Sequence, residues 1–441
     1  MMSSNSTDVN HDSNREATLS GYHKITFIGV LMFTMYVFFR PYETIPGAGF
    51  LSGGAFFIAL VTLLVFFPSQ FIATGTLTAL PKEVKAVLAL AFLALVTIPI
   101  AKDPSMAWER FSEQFIKAVL IFIVMVNVLI NWGRLRAIIY VSLAVSLYLS
   151  ILAVKNYISG EATVEGYRVG IEEIGGLFGN PNEVALHLVT MSPIAFAFGL
   201  GTRRMAVRIS YFFLATLFVA ASMVTYSRGA FLGLLAAIAV VAWKIGRRSR
   251  VKVFLALVLL GCAFLFVTPS GYGSRVLSIF APSLDPTGSS SARSELLKRS
   301  IVVTLRNPWG IGMGNFQVVG FHNHESHNSY TQVSSEIGVL GLIAYLTFVI
   351  SPLRKLGRME RSMIAEDETN WRYYFAVGLQ ASIVSFMVSS FFGSIAYSWY
   401  IYYLIAYAVC FRRILSEERE QSGKIESSQC GADRYAELQV V

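Results

Sequence analysis

The chain has 441 residues, of which 54% are apolar and 14% charged, with a formal net charge of +9. A mean hydropathy of +0.57 excludes an ordinary soluble domain, whose charged share is about 25%. In so apolar a chain, surplus Lys and Arg report membrane topology before they report nucleic acid, and no nucleic-acid partner is expected.

Residues 1–24 are polar, contain Asp8, Asp12 and Glu16, and lack the order of basic, apolar and small residues that marks a cleaved signal, so they predict a disordered cytoplasmic lead. Apolar runs fit for a bilayer follow at Ile25–Phe39, Leu51–Phe67, Val84–Ile100, Ala118–Ile130, Ala137–Val154, Val184–Leu200, Ile209–Val224, Ala230–Trp243 and Val253–Val267. Three more follow at Tyr330–Ile350, Tyr373–Phe392 and Ile395–Phe411. With both termini inside, the cytoplasmic loops carry Lys82 and Lys85, Arg134 and Arg136, Arg203, Arg204 and Arg208, then Lys244 to Lys252, Arg354 to Arg361, and Arg412 with Arg413. That pattern is positive-inside.

The opposite loops are mixed or acidic, as in Lys102 to Glu113 and Glu161 to Glu183, and one of roughly sixty residues runs from Pro269 to His327, far longer than a connection needs. Within it Ser291 is placed to cap an amphipathic helix running to Arg306, with Leu297, Ile301 and Leu305 along one stripe and a stop at Asn307-Pro308. This helix is expected to lie flat on the membrane. The sequence therefore predicts an all-α polytopic membrane protein of about twelve transmembrane helices. In that division 1–24 is the lead, 25–268 holds helices one to nine, 269–327 is the outer loop, 328–411 holds the last three helices, and 412–441 is a cytoplasmic tail, read as coil beyond Leu415. Cys262, Cys410 and Cys430 show no spacing for a metal or a disulfide.

The most specific pattern is His327-Asn328, nine intervening residues, and Gly338-Val339-Leu340-Gly341. It resembles the signature of the bacterial O-antigen ligase family, which is related to the O-antigen polymerases. Other pieces resemble the family pattern in order: Gly179-Asn180-Pro181-Asn182, Ser227-Arg228-Gly229-Ala230, Arg293 with Leu297, and Asn307-Pro308-Trp309-Gly310-Ile311-Gly312-Met313-Gly314. Arg168 and Arg299 are each followed, after ten intervening residues, by a glycine, Gly179 and Gly310, a spacing similar to paired loop motifs of the polymerases.

The resemblance implies a multi-pass inner-membrane glycosyltransferase with both termini cytoplasmic, moving a glycan from undecaprenyl pyrophosphate to a glycolipid or glycan acceptor on the periplasmic face, with no metal or cofactor. Arginine and histidine suit that chemistry. Guanidinium binds phosphate oxygens in bidentate fashion and stays charged, while imidazole exchanges protons near neutrality. His327 is the expected base, with Glu325 in reserve; Arg228, Arg293, Arg168 and Arg299 are the expected pyrophosphate ligands; Ser227, Asn328, Gly338, Gly341 and Glu336 support them. Standing alone, Arg228 reads equally as a snorkelling headgroup contact, and Glu336, a third of the way into its span, as a structural group that points inward. His322, His324, Glu325 and His327 could hold zinc, although their spacing matches no helical zinc motif. An oligosaccharide polymerase would share every one of these features, and a twelve-helix polysaccharide flippase would share the hydropathy and charge asymmetry.

Overall fold

The computed structural model describes residues 21, 23–45, 47–161, 163–164, 167–171, 178–246, 272–273, 289–319, 324–365 and 370–438. The expected span Val253–Val267 and most of the expected lead lie outside these residues. The first helices are α1 (Lys24–Phe39), α2 (Gly54–Thr74), α3 (Lys82–Thr97), α4 (Pro104–Val128), α5 (Trp132–Ser159), α6 (Pro181–Gly201), α7 (Met205–Met223) and α8 (Arg228–Ile245). After them come α9 (Ser289–Arg306), α10 (Ser329–Glu336), α11 (Gly338–Ala365), α12 (Trp371–Ser389) and α13 (Trp399–Leu438). The two-residue strands β1 (Thr163–Val164) and β2 (Arg168–Val169) pair antiparallel between α5 and α6.

Among the described residues nine helices are long and apolar enough to cross a bilayer, against the expected twelve. The helix α3 has only 16 residues, and α13 opens on a tyrosine-rich stretch, Trp399 to Tyr407. Exposed Phe56, Phe57, Leu64 and Phe71 on α2 form an apolar surface of the kind that faces lipid, whereas α6 and α12 are largely buried. A core of this kind puts α6 against α7 and α12, α8 against α12, and α3 against α11.

Three expectations are corrected. The run Tyr330–Ile350 is not one helix: α10 ends at Glu336 and α11 begins at Gly338, whose φ of +89° breaks the rod, so Glu336 stands ahead of its span rather than inside it. The tail beyond Leu415 is helical to Leu438, because Glu418 accepts from Trp132 Nε1 and pairs with Arg372 at 2.8 Å, and Arg419 donates to Ser362 Oγ at 3.0 Å. In the outer loop, α9 starts at Ser289, with Ser291 inside it rather than capping it. Its inward face carries Leu296 and Ser300, and Thr304 Oγ1 meets Ser334 Oγ of α10 at 2.9 Å. Ile301 and Leu305 of the predicted stripe are exposed.

The helices alternate in direction, so the loops collect at two ends. At one end Glu83, fully buried, accepts from Lys355 and from Arg412 at 3.0 Å each, and Lys244 pairs with Glu360. Arg136 stacks over the Trp371 ring. This is the cationic belt foreseen from the loops. All the motif residues lie at the other end.

Candidate functional site

That other end is built from chain turns whose backbone groups are capped by side chains. Asn328 is the N-cap of α10, its Oδ1 accepting from the backbone N–H groups of Tyr330 at 2.9 Å and Thr331 at 3.1 Å. Ser227 caps α8 through Ala230 N–H, and Asn180 caps α6 through Asn182 N–H. His327, immediately before its cap, sits at φ +49° and is half-buried.

The segment Asn307 to Asn315 runs beside α10 like a strand. Ile311 N–H donates to Ser335 O at 3.0 Å, Gly312 N–H to Glu336 O at 2.9 Å, and Val339 N–H to Pro308 O at 2.9 Å. Two glycines make that approach possible. A Cβ on Gly310 (φ +93°) would stand 2.5 Å from Glu336 O, and one on Gly338 (φ +89°) 2.5 Å from Pro308 O. Asn315, fully buried, donates its amide to Asp103 O and accepts from Asp103 N–H, fastening the segment to the start of α4.

These turns enclose a cavity of about 330 Å³ lined by Arg40, Arg110, Gln114, Glu183, Gln317, Glu325, Gln332, Glu336, Ser394, Tyr397 and Trp399 among others. Glu183 Oε2 accepts from Tyr400 at 3.1 Å, and Glu325 accepts from Gln317 Nε2 at 3.1 Å with Arg110 3.9 Å away. Burial pushes the Glu336 carboxyl up to about 8, which leaves it protonated at neutral pH. Burial also raises Glu325, against the opposing pull of Arg110 and Gln317.

Beside the cavity stand the basic groups. Burial, then the Arg293 guanidinium and His324, hold the His327 imidazole down at about 4, so at neutrality it is uncharged and able to accept a proton. Of the predicted residues, Arg293 and His327 are thus brought together, His324 lies with its ring centroid 6.4 Å from that of His327, and Glu336 lines the cavity floor. Arg228, buried at the first residue of α8, joins the same wall indirectly: Ser389 Oγ donates to Gly229 O, and Ser329 Oγ, two residues after His327, donates to Gly393 O. Arg168, also buried, donates to Thr225 O at 3.1 Å and to Asn182 Oδ1 at 2.8 Å, tying two of the motif segments together. Arg299 is half-buried and, six residues beyond Arg293, points about 120° away around α9. Gly341 is packed against the Ile337 side chain. Among the described residues no three His, Cys, Asp or Glu side chains are grouped to hold a metal, and His322 lies outside those residues.

Sequence reasoning missed Arg40, Arg110, Gln332 and Tyr397, and met Glu183 only as a loop boundary. Their common signal is a polar side chain at an outer helix end next to an apolar run, which many lipid-facing termini share.

Residues 212–346, under a third of the chain, match the family model described as O-antigen ligase. No curated protein matches the sequence. The matched segment holds Arg228, Arg293, His327 and Glu336, and the family it matches is the one its motifs resemble.

Proposed function

We propose that this membrane enzyme of the O-antigen ligase/polymerase family transfers a glycan from undecaprenyl pyrophosphate to an acceptor hydroxyl on the periplasmic face of the inner membrane. The observation that carries the reading is an uncharged His327, within the electrostatic reach of Arg293, beside a polar cavity at the bundle end opposite the cationic belt. The positive-inside rule makes that belt cytoplasmic and the cavity periplasmic.

The acceptor oxygen attacks the anomeric carbon and forms the new glycosidic bond while its proton passes to His327. The bond from that carbon to the pyrophosphate oxygen breaks, and the electron pair leaves with the pyrophosphate. Arg293 and Arg228 hold and stabilise the departing anion, while Arg168, bonded to Thr225 and Asn182, braces their wall and Arg299 contributes only its charge from another side of α9. An anion seated on Arg293 also cancels one of the charges that depress His327, so a bound donor makes the imidazole a better base. A single displacement inverts the anomeric configuration.

Ligase and polymerase share this step and differ in the acceptor. A flippase is disfavoured because the cavity's ionisable groups, Arg40, Arg110, Glu183, Glu325 and Glu336, gather at helix ends rather than at a midplane site. The test is transfer by the purified protein from defined undecaprenyl-linked donors, offering core glycolipid, a second repeat unit or a protein acceptor. His327→Ala is expected to abolish transfer while the protein stays folded; full activity in that variant removes His327 from the mechanism.

A further inference from the structure

The cavity floor differs in charge from the basic groups beside it. Its three carboxyls, on Glu183, Glu325 and Glu336, face two guanidiniums that are already engaged, Arg40 with Glu43 at 2.9 Å and Arg110 with Glu325 at 3.9 Å. A diphosphate lowered onto this floor meets three carboxyl groups and two guanidiniums whose charge is already shared with acids.

The floor is also short of hydrogen bonds. Glu336 Oε2, Gln332 Oε1 and the Tyr397 hydroxyl are all buried and have no hydrogen-bond partner among the described residues. The Glu336 carboxyl and the Tyr397 hydroxyl lie near enough to affect each other's ionisation, and the Gly314 backbone N–H stands near the same carboxyl, but Glu336 Oε2 and the Tyr397 hydroxyl are left without a well-formed bond. Buried polar groups left open in this way are costly, and they point to a partner that the protein itself does not supply. All three line the same cavity, with the Trp399 indole as a further wall. At about 330 Å³ the space falls at the small end of ligand pockets, roughly 300–1,000 Å³.

A carboxylic acid that keeps its proton both donates and accepts, an amide oxygen accepts, and a phenol does either. A ring bearing several hydroxyls matches that set, whereas a carboxylate or phosphate on the ring finds both guanidiniums engaged and adds its charge beside the Glu325 carboxyl. We propose that this floor is the acceptor-sugar site, and that it selects an uncharged polyhydroxyl ring over one carrying a carboxylate or phosphate. The assignment as acceptor rests on the transfer reading above; the preference for an uncharged sugar does not.

The experiment is equilibrium binding of methyl glucoside and methyl glucuronide to the full-length protein in lipid nanodiscs, followed by saturation-transfer NMR and calorimetry. The glucoside is expected to bind at least about tenfold tighter than the glucuronide. Glu336→Leu, which removes a buried unsatisfied group and so should not unfold the protein, is expected to weaken glucoside binding about tenfold, and Glu336→Gln to restore most of it. Equal or reversed affinities, no glucoside binding at all, or a Leu variant that binds like the wild type overturns the site. Glucoside binding with the expected selectivity in a protein that transfers from none of the undecaprenyl donors overturns the transfer reading and leaves the sugar site standing.

Discussion

Replacing Gly338 by alanine tests whether the two glycine contacts hold the floor in place. The new Cβ would lie 2.5 Å from Pro308 O and 2.6 Å from Trp309 C, both backbone atoms, and must retreat by about 0.5–0.9 Å to reach the 3.0–3.4 Å of tight real contacts. A φ of +89° adds about 1–2 kcal/mol of strain for a residue with a Cβ. Opening the seam weakens the Val339 to Pro308 and Gly312 to Glu336 hydrogen bonds, each contributing about 1 kcal/mol. The sum is a loss of about 3–4 kcal/mol, measured by chemical denaturation in matched micelles. A shift of nearly 1 Å between the segment bearing Gly314 and the helix bearing Glu336 should also slow transfer about a hundredfold. Gly160→Ala is the control: it too has positive φ, +69°, but open space around its Cβ, so it should cost only about 1 kcal/mol and leave transfer unchanged. A Gly338→Ala protein as stable and active as the Gly160→Ala control would refute the interlock.

Three further outcomes are expected. Transfer kcat/KM should fall as pH drops through about 4, where His327 takes a proton, and acceptor KM should rise as pH climbs through about 8, where Glu336 loses one; a single acid limb near 6.5 would contradict the depressed imidazole. Asn328→Ala removes an oxygen that satisfies two backbone N–H groups and should cost about 1–2 kcal/mol, with transfer reduced because His327 is held by the same turn, whereas Asn328→Asp should keep most of the stability. At the far end, Glu83→Ala leaves Lys355 and Arg412 without their shared carboxylate and should destabilise by about 3–5 kcal/mol in unfolding assays, with donor KM unchanged in the protein that remains folded.

Membrane residence, most helix positions and the cationic end were all legible in the amino-acid order. A backbone in lipid must satisfy its own hydrogen bonds within each helix, and so it writes its spans as local apolar runs. His327, Arg228 and Arg293 were legible as motif residues for a similar reason, since each stands in a short, ordered pattern. The break at Ile337–Gly338 was hidden, because the hydropathy of the run continues across it and the contacts that stabilise the break come from Pro308 and Trp309, some thirty residues earlier. The last helix was misjudged past Leu415 because its partners, Trp132, Ser362 and Arg372, lie far away in the chain. Only the tertiary structure decided the cavity floor: Arg40, Arg110, Glu183, Glu325, Glu336 and Tyr397 come from six separate segments, and no local period records that their side chains share one space. The sequence alone determined that the chain is a frame of membrane helices with basic motifs at one end. Long-range packing decided that these motifs stand beside an acid-lined pocket, because burial and the field of neighbouring charges, which set the protonation of His327 and Glu336, exist only once the helices are assembled.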